Sequence, residues 1–406
     1  MKLVVGKVFS SPFSIPNETR KEFMGLAANG AAPCIFSSPL MACARRQLNP
    51  KCSLRSSVSF SSHLMSKNPA SVDNSAKVSA ASTLVVVPSE TDVVSPPPLE
   101  VKEIDAKCST WVWRGYDINY LVYPEADGGN SSAKPTLLLV HGFGASIAHW
   151  RRNIPVLAQS HTVYSIDLLG FGASQKPRGF AYSMEVWAEL ILDFLNEIVQ
   201  KPTVLLGNSI GSLACVIAAS ESANSLVKGL VLFNCAGGMN NKAIVDDWRI
   251  KLFLPLLWLI DLLLKQRGIA TTLFDRIRQG NNLRNILLSA YGNKENVDED
   301  LVEIIRKPAE DEGALDAFIS IVTGPPGPNP VQLIPNINLP ILVLWGDRDP
   351  LTPIDGPVGR YFASLPARLS NVNLYLLEGV GHCPHDDRPD LVHEKLLPWL
   401  ANLPPS

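Results

Sequence analysis

Short apolar runs, each four or five residues long, alternate along this chain with longer stretches in which apolar positions recur every three or four residues. Thr136–Val140, Thr162–Ile166, Thr203–Leu206, Leu230–Phe233, Ile341–Leu344 and Asn373–Leu376 are runs of the first kind. Their shortness and continuity predict strands that are covered on both faces. Met184–Val199 and Ile210–Ser220 carry the helical period. Ahead of them, Ser109–Tyr123 alternates β-branched and aromatic residues with others about a central glycine, which predicts an antiparallel hairpin. Strands that alternate with helices in this way make a mostly parallel sheet, here eight-stranded with the hairpin included, with helices on both faces.

Residues 237–325 break the rhythm. DDWRIKLFLPLLWLIDLLLKQR, ATTLFDRIRQ, NLRNILLSAY and DEDLVEIIRK are helix-like, and no good strand lies among them. A helical insert between two strands predicts a cap over a site. It divides the core into an N-terminal part, 108–236, and a C-terminal part, 326–406.

The charge is uneven. Residues 1–70 hold nine Lys and Arg but only two acids, Glu18 and Glu22, and are thick with serine. An acid-poor, serine-rich, arginine-containing start reads as an organelle transit peptide. Residues 71–107 include VPSETDVVSPPPLE and read as a disordered proline-rich linker. The folded body is expected to begin near Cys108.

Composition narrows the function. A net charge of −2, with no basic stripe in the body, argues against nucleic acid as a partner. Seven scattered cysteines without a CxxC pair suit free thiols better than a disulfide framework. No apolar stretch reaches the roughly 18 residues of a membrane-spanning helix. The 46% hydrophobic content is ample for a large buried core.

The chemistry sits in four motifs. Gly207-Asn208-Ser209-Ile210-Gly211 lies between a predicted strand and a predicted helix, where a tight turn lifts a serine Oγ above the sheet and makes it a nucleophile. His141-Gly142-Phe143-Gly144 follows the strand at Val140, and in such an arrangement the backbone N–H groups of Phe143 and Ile210 form an oxyanion hole. His141 itself is read as a residue that holds this loop by hydrogen bonds. In Trp345-Gly346-Asp347-Arg348-Asp349-Pro350, Asp349 has the spacing of an acid that orients a histidine, and Asp347 is left a role in the turn. Gly381-His382-Cys383-Pro384 supplies the general base, His382. The chain order Ser, Asp, His is the one that this architecture uses. His385 in HCPHDD raises a metal reading with His382, Asp386 and Asp387, but local spacing provides no converging further ligand. Cys383 and Cys215 raise the idea of an oxidation switch, against the simpler reading of small core or loop residues. The predicted reaction is acyl transfer from an ester to Ser209 and then to water, without a cofactor or metal. A serine at this position disfavours chemistries that place an aspartate there.

VHGFGASIAHWRRN, VYSIDLLGFGASQKP, GNSIGSLACVIAASES, WGDRDPLTP and GVGHCPHDDRPDLVHEKLLPWL together resemble the plant chloroplast chlorophyll dephytylases, relatives of pheophytinase within the α/β-hydrolase superfamily. The resemblance runs from about Cys108 to Leu403 and takes in FNCAGGMNNKAIVDDWRIKLFLPLL in the cap. It implies an α/β-hydrolase fold, with chlorophyll or a related phytylated tetrapyrrole as substrate and chlorophyllide and phytol as products. It also implies a chloroplast location at the thylakoid membrane. Pheophytin, or another plastid lipid ester acted on by an esterase or acyltransferase, is the alternative substrate; a non-catalytic binder of a hydrophobic ligand is the alternative to an enzyme. Leu252–Leu264, almost wholly apolar with basic residues at its ends, is read as a cap helix that lines the pocket, rests on a membrane, or does both.

Overall fold

The structure, a computed structural model, describes residues 96–124, 134–221, 226–240 and 259–403. The expected transit peptide, residues 71–95 of the linker and residues 241–258 of the cap lie outside the described residues. The chain divides into two units; everything described belongs to the one that contains Val94–Ser406, and the other, Ser10–Val93, lies outside the described residues.

Helix α1, Val101–Lys107, precedes β1, Cys108–Trp113, and β2, Tyr116–Tyr123. The alternating strands and helices then follow: β3, Thr136–Val140; β4, Val163–Ile166; α2, Met184–Phe194; β5, Thr203–Asn208; α3, Ile210–Glu221; and β6, Val227–Phe233. The cap contributes α4, Arg267–Ile277; α5, Gly280–Ala290; α6, Glu299–Arg306; and α7, Ala314–Thr323. The core resumes with β7, Ile341–Gly346; α8, Pro357–Ser364; β8, Val372–Leu377; and α9, Pro389–Ala401. The eight strands form one sheet in the order β1-β2-β4-β3-β5-β6-β7-β8. The pairs β1–β2 and β2–β4 are antiparallel, and the rest are parallel.

Every residue of β3, β4, β5 and β7 is buried, which explains their unbroken apolar runs. The period of two still operates beneath that uniformity. Leu138, Val140, Leu205 and Val343 join one core, and Leu137, Leu139, Leu206 and Leu344 join the core on the opposite face. Each such leucine contributes roughly 1.5–3 kcal/mol by leaving water. Helix α3 is buried from Ile210 to Ala219, between the sheet and α2, so it shows no polar face. Helix α2 starts at Ser183, whose hydroxyl accepts from Val186 N at 3.3 Å, and its last turn widens into a π-helical turn at Leu195–Val199. Helix α6 is capped by Asp298, which accepts from Leu301 N at 2.7 Å, with Glu299 and Asp300 favourably placed in its first turn.

One boundary differs from expectation. Residues 101–107, read as the end of a disordered linker, form α1. Its Ile104 is buried in the same core as Trp150, and Leu99 N donates to Arg151 O at 3.0 Å. A helix of seven residues with one core contact is too short for its period to stand out in the sequence.

Because β3, β5, β6, β7 and β8 run parallel, their C-terminal ends share one edge of the sheet. His141, Ser209, Asn234, Asp349 and His382 all follow those ends, and this edge is where open α/β sheets bind ligands.

Candidate active site

Ser209 occupies the turn between β5 and α3 with φ of +54°. A left-handed serine costs about 1–3 kcal/mol of backbone strain, and the surroundings hold it there. Its N–H donates to Phe233 O at 2.9 Å, and its carbonyl accepts from Leu213 N and Ala236 N. The flanking glycines are required by contact: a Cβ on Gly207 would lie 2.5 Å from Ser212 N, and one on Gly211 would lie 2.3 Å from His141 O.

His141 fixes the adjoining loop. Its ring is wholly buried; Nδ1 lies 2.7 Å from Gly142 O, and Nε2 accepts from Leu168 N at 3.0 Å. A carbonyl can only accept, so Nδ1 carries the proton and the ring is neutral. Burial lowers its pKa, against the pull of Asp167, in keeping with that state. In a trans peptide the C=O and N–H point in opposite directions. With Gly142 C=O held by His141, the Phe143 N–H is turned the other way. Neither that N–H nor the Ile210 N–H has an acceptor among the described residues. Gly142 packs so close to the turn that a Cβ on it would touch Ser209 Cβ at 3.4 Å. These two amides, in the loop and the turn on either side of the serine, are left without an acceptor among the described residues.

Asp349 and His382 are brought together. His382 Nδ1 lies 2.7 Å from Asp349 Oδ2, with both residues buried. The same oxygen accepts from Asn234 Nδ2 at 2.6 Å and Thr352 Oγ1 at 2.5 Å, and Oδ1 accepts from Leu351 N and Thr352 N. Burial alone would raise the pKa of Asp349. His382 and these hydrogen bonds outweigh it and hold the carboxyl far below its usual range. An ionised acceptor on Nδ1 makes Nδ1 the donor, which leaves Nε2 with a lone pair for a proton. Asp347 does the turn work assigned to it, accepting from Gly379 N at 2.7 Å and Val380 N at 3.3 Å.

Two residues here have roles that the sequence motifs do not assign: Asn234, which lies outside them, and Asn208, which lies within the serine motif. Asn234 follows β6 with φ of +41°, a conformation that asparagine tolerates better than most residues. Asn208, fully buried, donates to His382 O at 3.1 Å and Phe233 O at 3.3 Å, and so ties the serine turn to the histidine loop. The only sequence signal for Asn234 is a polar residue directly after a strand at the active edge.

The metal reading fails on geometry. Asp386 is engaged by Arg151, Arg152 and Tyr291, and Asp387 by three backbone N–H groups. His385 stacks on Trp150 with 4.0 Å between ring centroids. Among the described residues no group of three His, Cys, Asp or Glu converges as metal ligands do. Cys215 is buried and Cys383 half-buried on the cavity wall; desolvation raises the pKa of both thiols, which makes them poor thiolates.

Ser209 and His382 open into a cavity of about 320 Å³ between the sheet edge and the cap. Phe143 and Phe171 from the core and Phe274, Leu287, Phe318 and Ile321 from the cap make its wall apolar. The cations on the wall are paired, Lys176 with Asp311 at 2.8 Å and Arg278 with Asp275 at 2.8 Å.

Residues 135–389 match the profile of a family described as alpha/beta hydrolase fold. The chain belongs to the alpha/beta hydrolase family. The hydrolase YugF of Bacillus subtilis is 27% identical over 272 residues, 66% of this chain and 90% of that protein. Chloroplastic pheophytinase of Arabidopsis thaliana is 24% identical over 324 residues, 70% of this chain and 64% of that protein, so this chain spans less than two thirds of it. The crystal structure of a membrane phospholipase A, a bacterial virulence factor, superposes with a TM-score of 0.54 at 24% identity, covering 73% of this chain and 88% of that one. That likeness carries the fold alone. As an alpha/beta hydrolase with such a site, the protein is a hydrolase whose geometry is consistent with ester hydrolysis.

Proposed function

We propose that this hydrolase is a serine esterase that removes the phytyl chain from chlorophyll or a closely related phytylated tetrapyrrole. The observation that carries the reading is the apolar cavity, with paired cations, that opens directly onto Ser209 and His382. A branched hydrocarbon alcohol has no polar group beyond its ester and suits such a wall. The likeness to pheophytinase and the dephytylase-like motifs support the same substrate class.

In this reading His382 Nε2 takes the proton of Ser209 Oγ as the oxygen attacks the ester carbonyl. The amides of Phe143 and Ile210 receive the oxyanion, a contribution of about 2.7–4 kcal/mol for each such donor. Asp349 steadies the imidazolium. His382 then protonates the departing phytol, and water, activated by the same histidine, releases the pigment acid from Ser209. No cofactor enters the scheme.

The site of action is proposed as the thylakoid surface of the chloroplast. Moving a phytyl chain from water into the cavity is worth on the order of 15 kcal/mol at about 0.8 kcal/mol per methylene. Almost none of that gain remains when the chain starts in a bilayer, which is equally apolar. An enzyme for this substrate therefore gains by resting its cap on the membrane and passing the chain across without water. Residues 259–264 of the cap are helical and present Leu259, Leu262 and Leu263 outward, which supports such a contact. No helix among the described residues is long and apolar enough to cross a membrane.

The test is phytol release by the full chain from chlorophyll a and pheophytin a in detergent, with Ser209→Ala as control. Release that disappears in the variant supports the reading. Turnover of a short nitrophenyl ester without release from either pigment overturns the substrate assignment and keeps the esterase.

A further inference from the structure

The loop that carries His382 is built jointly with the cap. His382 N donates to the carbonyl of Ala290, the last residue of α5, at 2.8 Å. The preceding amide, Gly381 N, donates to Asp387 Oδ2 at 2.6 Å. That oxygen also accepts from Gly292 N at 2.7 Å, and Asp387 Oδ1 accepts from Asn293 N at 2.7 Å, both in the segment that leaves α5. One buried carboxylate therefore clasps the cap with two N–H groups and the histidine loop with a third. The surfaces meet without room for side chains. A Cβ on Gly381 would lie 2.0 Å from Ala290 O, and one on Gly292 would lie 1.8 Å from Gly379 O.

A second tie runs alongside. Asn296 Nδ2 in the cap donates to the carbonyls of Asp387, at 2.8 Å, and Asp386, at 3.2 Å. Arg151 of the core bridges Asp386 and the cap residue Asp298. Asp387, Asn296, Asp386, Arg151 and Asp298 do not line the cavity, and the four motifs do not contain Asp387.

We propose that Asp387 is a positioning residue which makes the seating of the cap and the placement of His382 a single event, so that the base is aligned over Ser209 only while the Ala290–Asn293 segment is docked. The His382 backbone itself makes two hydrogen bonds: its carbonyl accepts from Asn208 Nδ2, and its N–H donates to the cap. The inference rests on Ser209 as nucleophile and His382 as base, and deepens that reading. Its consequence is that a cap displaced to admit a bulky ester leaves the serine poorly activated until the segment returns. Water then finds no competent site in the open state.

The experiment measures the rate at which a fluorophosphonate probe labels Ser209 in the full chain. The Oγ–P bond forms, fluoride leaves, and His382 takes the serine proton, so the rate reads serine activation without any assumption about the natural substrate. Asp387→Asn turns an NH2 group toward one set of backbone donors and breaks the clasp. It is expected to label about tenfold to 10²-fold more slowly, the larger figure being the loss that a misplacement of about 1 Å produces. On a short nitrophenyl ester its kcat should fall with KM unchanged. Asn296→Ala, on the cap and away from the cavity, is expected to slow labelling by a smaller factor at an unchanged melting midpoint, and it decides the matter where Asp387→Asn does not fold. Wild-type labelling rates in the folded variants overturn the coupling while the esterase reading stands. A wild-type chain that the probe does not label overturns both.

Discussion

Asn234 and His382 meet on a single atom: both donate to Asp349 Oδ2, at 2.6 and 2.7 Å. The asparagine also accepts from Gly346 N at 3.0 Å, so it fixes the acid to the end of the strand that presents it. A hydrogen bond to a charged group is worth about 1.5–3 kcal/mol. Asn234→Ala is expected to lower kcat by on the order of tenfold, with KM little changed. Asp349→Asn, which removes the charge that steadies the imidazolium, should cost on the order of 10⁴. Steady-state kinetics on a soluble ester separates the two, and equal losses would contradict the division of roles.

His141 acts through the Gly142 carbonyl. Its replacement by alanine leaves that carbonyl with only the longer bond from Ala145 N, at 3.3 Å, so the peptide can tilt and carry the Phe143 N–H out of line. The expected loss is about 10²–10³ in kcat, the usual cost of one oxyanion donor, with substrate binding intact. An unchanged kcat in His141→Ala would show that the peptide orientation is held by other means.

Acid should weaken the fold in a defined window. Burial, with Arg151 adding repulsion, pushes the pKa of His149 down to about 3, and burial pushes His393 down to about 4. In an unfolded chain both would titrate near 6.5. Below that pH the unfolded chain binds protons that the folded one refuses, so stability present at neutral pH is lost as the pH falls from about 6.5 toward 4. The slope is up to ~1.4 kcal/mol per pH unit for each histidine. The melting midpoint should decline across that window, and His149→Gln should flatten the decline. A midpoint independent of pH between 6.5 and 4 would refute this.

Leu259, Leu262 and Leu263 are 49%, 57% and 40% exposed and share one helix face by their spacing. Their triple replacement by serine should reduce sedimentation of the chain with phosphatidylglycerol–phosphatidylcholine vesicles and leave hydrolysis of a soluble ester unchanged. Undiminished sedimentation would remove the membrane contact from these residues. The neighbouring apolar positions Leu256 and Trp258 lie outside the described residues.

Most of the sheet was legible because its central strands run through the interior, where both faces are covered and every position is apolar or small. The ends were less so. β6 starts at Val227 rather than Leu230, since Lys228 and Gly229 interrupt the apolar run, yet Gly229 still pairs with Val204. The pairing of Asp349 with His382 could be anticipated because each follows a strand in a motif with characteristic spacing. Asn234, Asn208 and Asp387 could not, because they act through backbone groups and neighbours distant in sequence. An asparagine that holds a carbonyl 174 residues away leaves no local pattern.

The central claim is that Ser209 attacks the carbonyl carbon of a phytyl ester and that water resolves an acyl-enzyme. Hydrolysis of the phytylated pigment in water enriched in oxygen-18 tests it most directly. The account predicts one heavy oxygen in the carboxyl of the released pigment acid, none in phytol, and no product with Ser209→Ala. Heavy oxygen in phytol, or product that persists in the variant, would contradict it.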